Sequence, residues 1–255
     1  MVPLSAVLIT RNEEATIASA LASVTFCDEV LLVDAGSTDR TREIAEASGA
    51  RVLVSAPWPG FVAQREIAVK AARHDWVLAI DADERVSAQL REEIGALRGR
   101  GFDQSGYRVP RVTFYLGRWI LGTDWYPDWQ LRLYDRRTGS WAGGLVHESV
   151  SVRGPVGRLR GTLEHHPYSG ISEHLLRIDS YTTLWARDAH SRGRRSSAPG
   201  MAAAAAWAFF RNYVLKGGLR LGTAGFVVSV LNAHYTFVKL AKLRELERRA
   251  GAAPR

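Results

Sequence analysis

The chain has little cysteine, no familiar phosphate loop and no long uninterrupted apolar run. Cys27 is the single cysteine of 255 residues, which excludes an internal disulfide and fits a reducing compartment. A small apolar residue is the simplest reading of it. No Gly-x-Gly-x-x-Gly turn follows the first apolar segment, and no Gly-Lys-Ser/Thr loop occurs, so both common backbone-amide cradles for phosphate are missing. The net charge is +8, yet there is no zinc-finger or RNA-binding motif, and no nucleic acid is expected as a partner. No internal repeat is present, and Ala202 to Ala206 is the only low-complexity patch. The run Leu4 to Ile9 is too short for a signal sequence and has no basic stretch before it. The longest clean apolar stretches fall short of the ~20 residues that span a bilayer. An apolar content of 46% does support one sizeable domain, or one domain with an appendage.

The first hundred residues alternate between two periodicities. Leu4 to Thr10 reads as a strand, and a helix follows to about Ser23. Asn12 is its expected N-cap, with Glu13 and Glu14 at its positive end. Val30 to Val33 is a second strand, then a helix from about Arg40 to Ala47 stopped by Gly49. Arg51 to Val54 is a third strand, Phe61 to Arg73 a helix, and Trp76 to Ile80 a fourth strand. Strands that alternate with helices predict a doubly wound, mainly parallel sheet. Such sheets bind ligands at the carboxyl ends of their strands.

Three of those ends are polar: Thr10 with Asn12 and Glu13, then Asp34, then Asp81 with Asp83. Side chains two apart on a strand share a side, so Asp81 and Asp83 are expected to point together. Paired carboxylates there suit a hard divalent cation, Mg²⁺ or Mn²⁺, that grips a nucleotide diphosphate. Asp39 reads as a helix N-cap, and Glu84 as a charge at the start of the next helix.

The strings Leu8-Ile9-Thr10-Arg11-Asn12-Glu13, Val33-Asp34-Ala35-Gly36-Ser37-Thr38-Asp39 and Ala79-Ile80-Asp81-Ala82-Asp83-Glu84 resemble a family 2 glycosyltransferase of the GT-A fold. The segments Trp125 to Leu133 and Gly144 to Glu148 resemble a narrower branch, the bacterial glucosyltransferases of the lipopolysaccharide inner core. The resemblance implies roles. Asp34 would read a uracil ring, Thr10 and Glu13 would sit at base and ribose, and Asn12 belongs with them. Asp81 would lie near ribose and metal, Asp83 would ligate the metal directly, and Arg65 would lie near the diphosphate. His147 would be a third metal ligand, against a structural role for it. An inverting transfer also needs a general base, and Asp128 and Glu148 are the two candidates. His165 and His166 could bind phosphate or a second ion, though a structural place at a strand end suits them better.

Trp119, Trp125, Trp129 and Trp141 fall within 23 residues, with Tyr126 among them and Tyr115 just before. Aromatic faces suit a saccharide cleft and equally suit a core.

Charge divides the chain. Residues 1–152 hold 17 Lys and Arg against 20 Asp and Glu, a net of −3. Residues 153–255 hold 17 against 6, a net of +11. Helices are expected at about Ser172 to Arg187, Met201 to Leu215 and Thr223 to Leu243; Asn232 and His234 interrupt the best candidate for an apolar span. Apolar, basic helices of this type lie in a membrane interface or cap a sheet domain.

The expected architecture is therefore α/β, a GT-A sheet domain over residues 1–165 and a helical, basic extension over residues 166–255. The expected partners are a nucleotide-sugar donor (UDP-glucose), a lipid-linked saccharide such as the heptose region of lipopolysaccharide core, and an anionic membrane surface. The expected place is cytoplasmic, peripheral on the inner face of the cytoplasmic membrane. A nucleotidyltransferase and a non-catalytic membrane adaptor are the alternatives.

Overall fold

The computed structural model describes residues 1–143 and 148–252. In chain order the elements are β1 (Leu4–Thr10), α1 (Ile17–Ser23), β2 (Glu29–Asp34), α2 (Thr41–Ala47), β3 (Arg51–Val54), α3 (Phe61–Ala71), β4 (Trp76–Asp81), β5 (Glu84–Val86) and α4 (Ala88–Arg100). Then follow β6 (Gly106–Tyr115), β7 (Arg118–Trp119), β8 (Asp128–Asp135), β9 (Gly139–Gly143), β10 (Glu148–Val152), β11 (Val156–Arg158) and β12 (Leu163–His165). Three helices close the chain: α5 (Ile171–Ser191), α6 (Ala198–Phe210) and α7 (Gly222–Ala252). Two compact units result. One joins residues 1–112 and 128–167, and the other joins 113–127 and 168–255.

The first unit is built on a sheet of order β3-β2-β1-β4-β8-β6-β12-β5. β3, β2, β1 and β4 are parallel, and β8 joins β4 antiparallel. Every residue of β1 is buried, as expected of a central parallel strand covered on both faces. Alternation along the strands sorts the core. Leu4, Ala6, Leu8, Leu78 and Ile80 pack with Ile17, Leu21, Leu90 and Ile94. Val7, Ile9, Val77 and Ala79 pack instead with Ala68 and Val69 of α3, and with Trp141 and Val150. The hairpin β9–β10 forms a separate two-stranded sheet.

Local signals place several boundaries away from expectation. Asn12 is no N-cap: its φ is 57°, and its Oδ1 accepts from Thr38 N–H at 2.9 Å. The helix α1 starts only at Ile17. Asp39 does accept from Thr41 N–H at 3.0 Å, a cap set one residue ahead of the N-cap Arg40. Glu84 does not open a helix. It begins β5, and α4 follows from the N-cap Ser87, whose Oγ accepts from Leu90 N–H at 3.2 Å.

The second unit is mostly helical. The end of β6 pairs with β7, Phe114 opposite Trp119. Tyr115, Ile120, Ile178, Leu221, Ala224, Val228 and Leu231 form its main core. A π-turn at Arg211–Leu215 and a 3₁₀ turn at Gly218–Leu221 join α6 to α7. Only glycine fits at 225, because a Cβ there would lie 2.0 Å from Gly218 O.

α7 runs unbroken for 31 residues, longer than the expected helix at about Thr223 to Leu243. The Asn232 amide is satisfied on both sides. Its Nδ2 donates to Asn212 Oδ1 at 2.8 Å, and its Oδ1 accepts from Trp125 Nε1 at 3.2 Å. The stretch Gly218–Ala250 is accordingly long and apolar enough to cross a membrane, by length and composition, with a third of its most apolar window buried in the molecule.

Candidate active site

Strand order decides what meets at the carboxyl edge. β1 lies between β2 and β4, with Thr10 in register with Asp34 and Ile9 with Asp81. Thr10, Asp34 and Asp81 therefore end three adjacent parallel strands. The Thr10 hydroxyl is buried and has no hydrogen-bond partner among the described residues. Unpaired buried hydroxyls are costly, so this one marks a position for a polar ligand atom.

The turns after β1 and β2 are sewn together. Asn12 N–H donates to Ser37 Oγ at 2.9 Å, and Glu13 N–H donates to Thr41 Oγ1 at 2.8 Å. Asp34 is fully buried and holds its own turn: Oδ2 accepts from the Gly36 and Ser37 amides at 2.9 and 2.8 Å, and Oδ1 accepts from the Ser37 hydroxyl. Gly36 has φ 81°, which only glycine adopts at little cost.

Asp81 and Asp83 do not share a strand face. β4 stops at Asp81, and Asp83 lies in the turn before β5. Asp81 binds two arginines, Arg65 through Oδ1 and Arg132 through Oδ2, the latter at 2.7 Å. Burial works against its charge, but Arg132 and Arg65 hold the carboxyl well below the usual carboxylate range. Asp83 faces His165 instead, Oδ2 to Nε2 3.3 Å. Burial opposes its charge too, and the bond and charge of His165 keep its pKa below the ordinary value, partly offset by Asp81.

Glu84 is the residue sequence reasoning placed wrongly. Its side chain is fully buried and binds Arg111 at 3.1 Å and Arg132 at 2.9 Å through Oε1. Its Oε2 accepts from Asp81 N–H at 3.0 Å. Arg111 reaches on to Asp128 at 2.7 Å. Three carboxylates, Asp81, Glu84 and Asp128, thus interlock with three arginines, Arg65, Arg111 and Arg132. The sequence carried one signal for this: Arg132 stands between Leu131 and Leu133, in the buried half of β8. A charge there must be paired.

Beside the network opens a cavity of about 540 Å³. Arg65, Arg108, Arg132, Trp129, Trp141 and Glu148 are among the residues that line it. The tryptophan cluster is split by the fold. Trp129 and Trp141 line the cavity, each with an arginine over its ring: Arg158 at 5.0 Å and Arg65 at 4.6 Å from the ring centroids. Trp119 instead packs edge-on against Phe114, and Trp125 against Tyr115, in the helical unit.

The two candidate bases differ in engagement. Both oxygens of Asp128 are held, Oδ2 by Arg111 and Oδ1 by Gln130 Nε2 at 2.6 Å. Glu148 lines the cavity with Arg65 at 3.9 Å. His147 lies outside the described residues. Among the described residues no group of three His, Cys, Asp or Glu could hold a metal ion. The pair Asp83 and His165 could supply two ligands to a divalent ion that takes the rest from phosphate oxygens and water. Sequence reasoning gave His165 a structural place. β12 pairs with β5, His165 opposite Glu84, and that register brings it to Asp83.

Polar groups gathered at the carboxyl edge of a parallel sheet sit where doubly wound α/β proteins bind their ligands. Residues 5–153 match the model of Glycosyl transferase family 2, and the chain belongs to that family and is a glycosyltransferase of the GT-A fold. It is 33% identical to an uncharacterized glycosyltransferase of Rickettsia typhi, over 96% of this chain and 88% of that one. It is 31% identical to the lipopolysaccharide core biosynthesis glycosyltransferase LpsC of Rhizobium meliloti, over 94% and 92%. A crystal structure of glucosyl-3-phosphoglycerate synthase from Mycobacterium tuberculosis with Mn²⁺, UDP and glucosyl-3-phosphoglycerate is 31% identical over 45% of this chain and 44% of that one. Its TM-score is 0.35, and at that value the likeness carries no argument about this site. Family membership sets aside a nucleotidyltransferase and a non-catalytic adaptor.

Proposed function

We propose that the enzyme transfers a hexose, glucose from UDP-glucose, to a hydroxyl of a lipid-linked saccharide, with inversion. The heptose region of lipopolysaccharide core is the proposed acceptor, a reading supported by the similarity to LpsC. The observation that carries the donor side is the row Asp34, Thr10 and Asp81 at the ends of three adjacent parallel strands, with a buried hydroxyl still to be satisfied. Thr10, Asn12, Glu13 and Asp34 form the nucleotide side, and Asp81 with Arg65 faces the ribose and diphosphate.

Asp83 and His165 would hold Mg²⁺ or Mn²⁺, which when bound supplies positive charge to the leaving diphosphate. Arg65 adds fixed charge beside Asp81, preorganised by its stacking on Trp141; such fixed charge stabilises a leaving group without reorganisation. Glu148 takes the acceptor proton. It lines the cavity, whereas Asp128 is spent on Arg111 and Gln130. The sheet domain, residues 1–165, performs the chemistry. The basic helical part, residues 166–255, rests on the anionic inner face of the cytoplasmic membrane, where a lipid-linked acceptor is presented.

Calorimetry with UDP tests the donor reading. UDP should bind, and bind at least tenfold tighter with Mn²⁺. Absence of UDP binding under both conditions rejects it. Asp83→Ala should remove the Mn²⁺ enhancement while the melting temperature stays close to wild type.

A further inference from the structure

We propose that Arg108 and Arg158 form an anion clamp at the cavity beside the carboxylate–arginine network, and that the acceptor saccharide carries an acidic group there, a phosphomonoester or a carboxylate. The inference rests on the glycosyltransferase reading and adds the acceptor's chemical class to it.

The arginines that line the cavity are not equivalent. Arg65 is paired with Asp81, Arg132 with Asp81 and Glu84, and Arg111 with Glu84 and Asp128. Each of these three is ion-paired within the protein. Arg108 also lines the cavity, but among the described residues it has no ion-pair partner. Its neighbour is another arginine. β11 pairs in parallel with β6, and Arg158 is the register partner of Arg108. Arg158 too has no carboxylate partner among the described residues, and its guanidinium sits over Trp129, which lines the same cavity.

Like charges opposite each other across a strand pair are destabilising, and no carboxylate among the described residues neutralises either arginine. Both side chains are exposed, so neither is needed for the core. Guanidinium groups carried by residues paired across two strands can together match the oxygens of a phosphate or carboxylate. A bound anion would turn the repulsion between them into two charge-assisted bonds. Trp129 beneath Arg158 restricts that guanidinium to one face of its ring, which lowers the entropy lost on binding. Ser149 and Ser151 on the cavity wall offer hydroxyls to the rest of a sugar.

Calorimetric titration of the full chain with glucose 6-phosphate, glucuronate and glucose tests this. At least one acid sugar should bind tenfold or more tighter than glucose, and the tighter of the two identifies phosphate or carboxylate as the group recognised. The double variant Arg108→Gln/Arg158→Gln should lose that preference, with UDP affinity within twofold of wild type. Its melting temperature without ligand should be unchanged or higher; a purely structural pair would lower it. Arg108→Lys/Arg158→Lys should keep part of the preference. Equal affinity for all three sugars, no binding of either acid sugar, or a preference that survives in the Gln double variant would each overturn the proposal. Failure of wild-type enzyme to bind UDP strikes the donor reading instead and leaves the acid-sugar comparison standing.

Discussion

The sheet unit and the helical unit handle charge and apolar surface in opposite ways. In the sheet unit β1 is buried throughout and β2 and β4 nearly so, and the acids near the strand ends are held by arginines, by His165 or by their own turns. In the helical unit, Trp207, Phe210, Val214, Leu215, Leu219, Phe226 and Phe237 are all exposed by 43% or more. Between Met201 and Val238 the only Lys, Arg, Asp or Glu residues are Arg211, Lys216 and Arg220, all basic and all between α6 and α7. Asn212 ties this unit together from inside. Asn212 Nδ2 donates to Asp124 at 2.9 Å, and Asn212 Oδ1 accepts from Asp124 N–H at 2.7 Å. One unit spends its charges on a site; the other keeps a basic exterior around an apolar surface larger than its own fold requires.

The sharpest break of that contrast is catalytic. Glu148→Gln should lower turnover by about 10²–10⁴-fold with little change in UDP affinity, and Asp128→Asn should act mainly on stability. Equal and small effects in both would remove the base assignment. A second, smaller effect concerns the buried lattice. Arg132→Met leaves Asp81 and Glu84 without a shared partner, and loss of one partner of a buried pair costs ~3–5 kcal/mol. Urea denaturation should show that loss; a change within ~0.5 kcal/mol would mean the network is not stabilising.

For the helical unit the expected effect is binding to vesicles. Each basic side chain near an anionic surface contributes on the order of 1 kcal/mol, screened by salt, and the exposed aromatic side chains add a part that salt does not remove. Co-sedimentation with anionic vesicles should weaken but persist at high salt, and fall further in Trp207→Ala/Phe210→Ala. Protein that stays in the supernatant at low salt would show that the exposed face is not a membrane face.

The smallest effect expected is a pH dependence within the helical unit. His174 is buried, stacked on Tyr168 at 4.2 Å, with Nδ1 3.1 Å from the Tyr115 hydroxyl. Burial pushes its pKa down to about 4. The unfolded chain therefore binds a proton near pH 6.5 that the folded one refuses until about 4. Stability from this group is full above pH 6.5 and declines as pH falls toward 4. His174→Phe should flatten that part of a melting-temperature profile.

Much of the sheet unit was legible because parallel strands buried on both faces read as continuous apolar runs, and their polar ends stand out. The pairs that complete the site were not legible. Arg132 lies 51 residues from Asp81, and Arg111 lies 27 from Glu84. Such charges look like ordinary surface residues until strand order brings them together. The expected helix start at Glu84 failed for the same reason. Its local chemistry suits a helix N-terminus, and only burial against Arg111 and Arg132 makes it part of a strand. Asn232 interrupts an apolar run in the sequence, where an isolated amide is costly; Asn212 and Trp125 remove that cost.

What the sequence by itself determined is the alternation of strands and helices, the acidic strand ends and the basic C-terminal composition, since these depend on residues close together in the chain. Only the tertiary structure decided which carboxylates are spent on arginines, that Asp83 faces His165, and that two of four clustered tryptophans line the cavity. Those outcomes rest on strand order and register, set by burial of the whole sheet rather than by any local stretch.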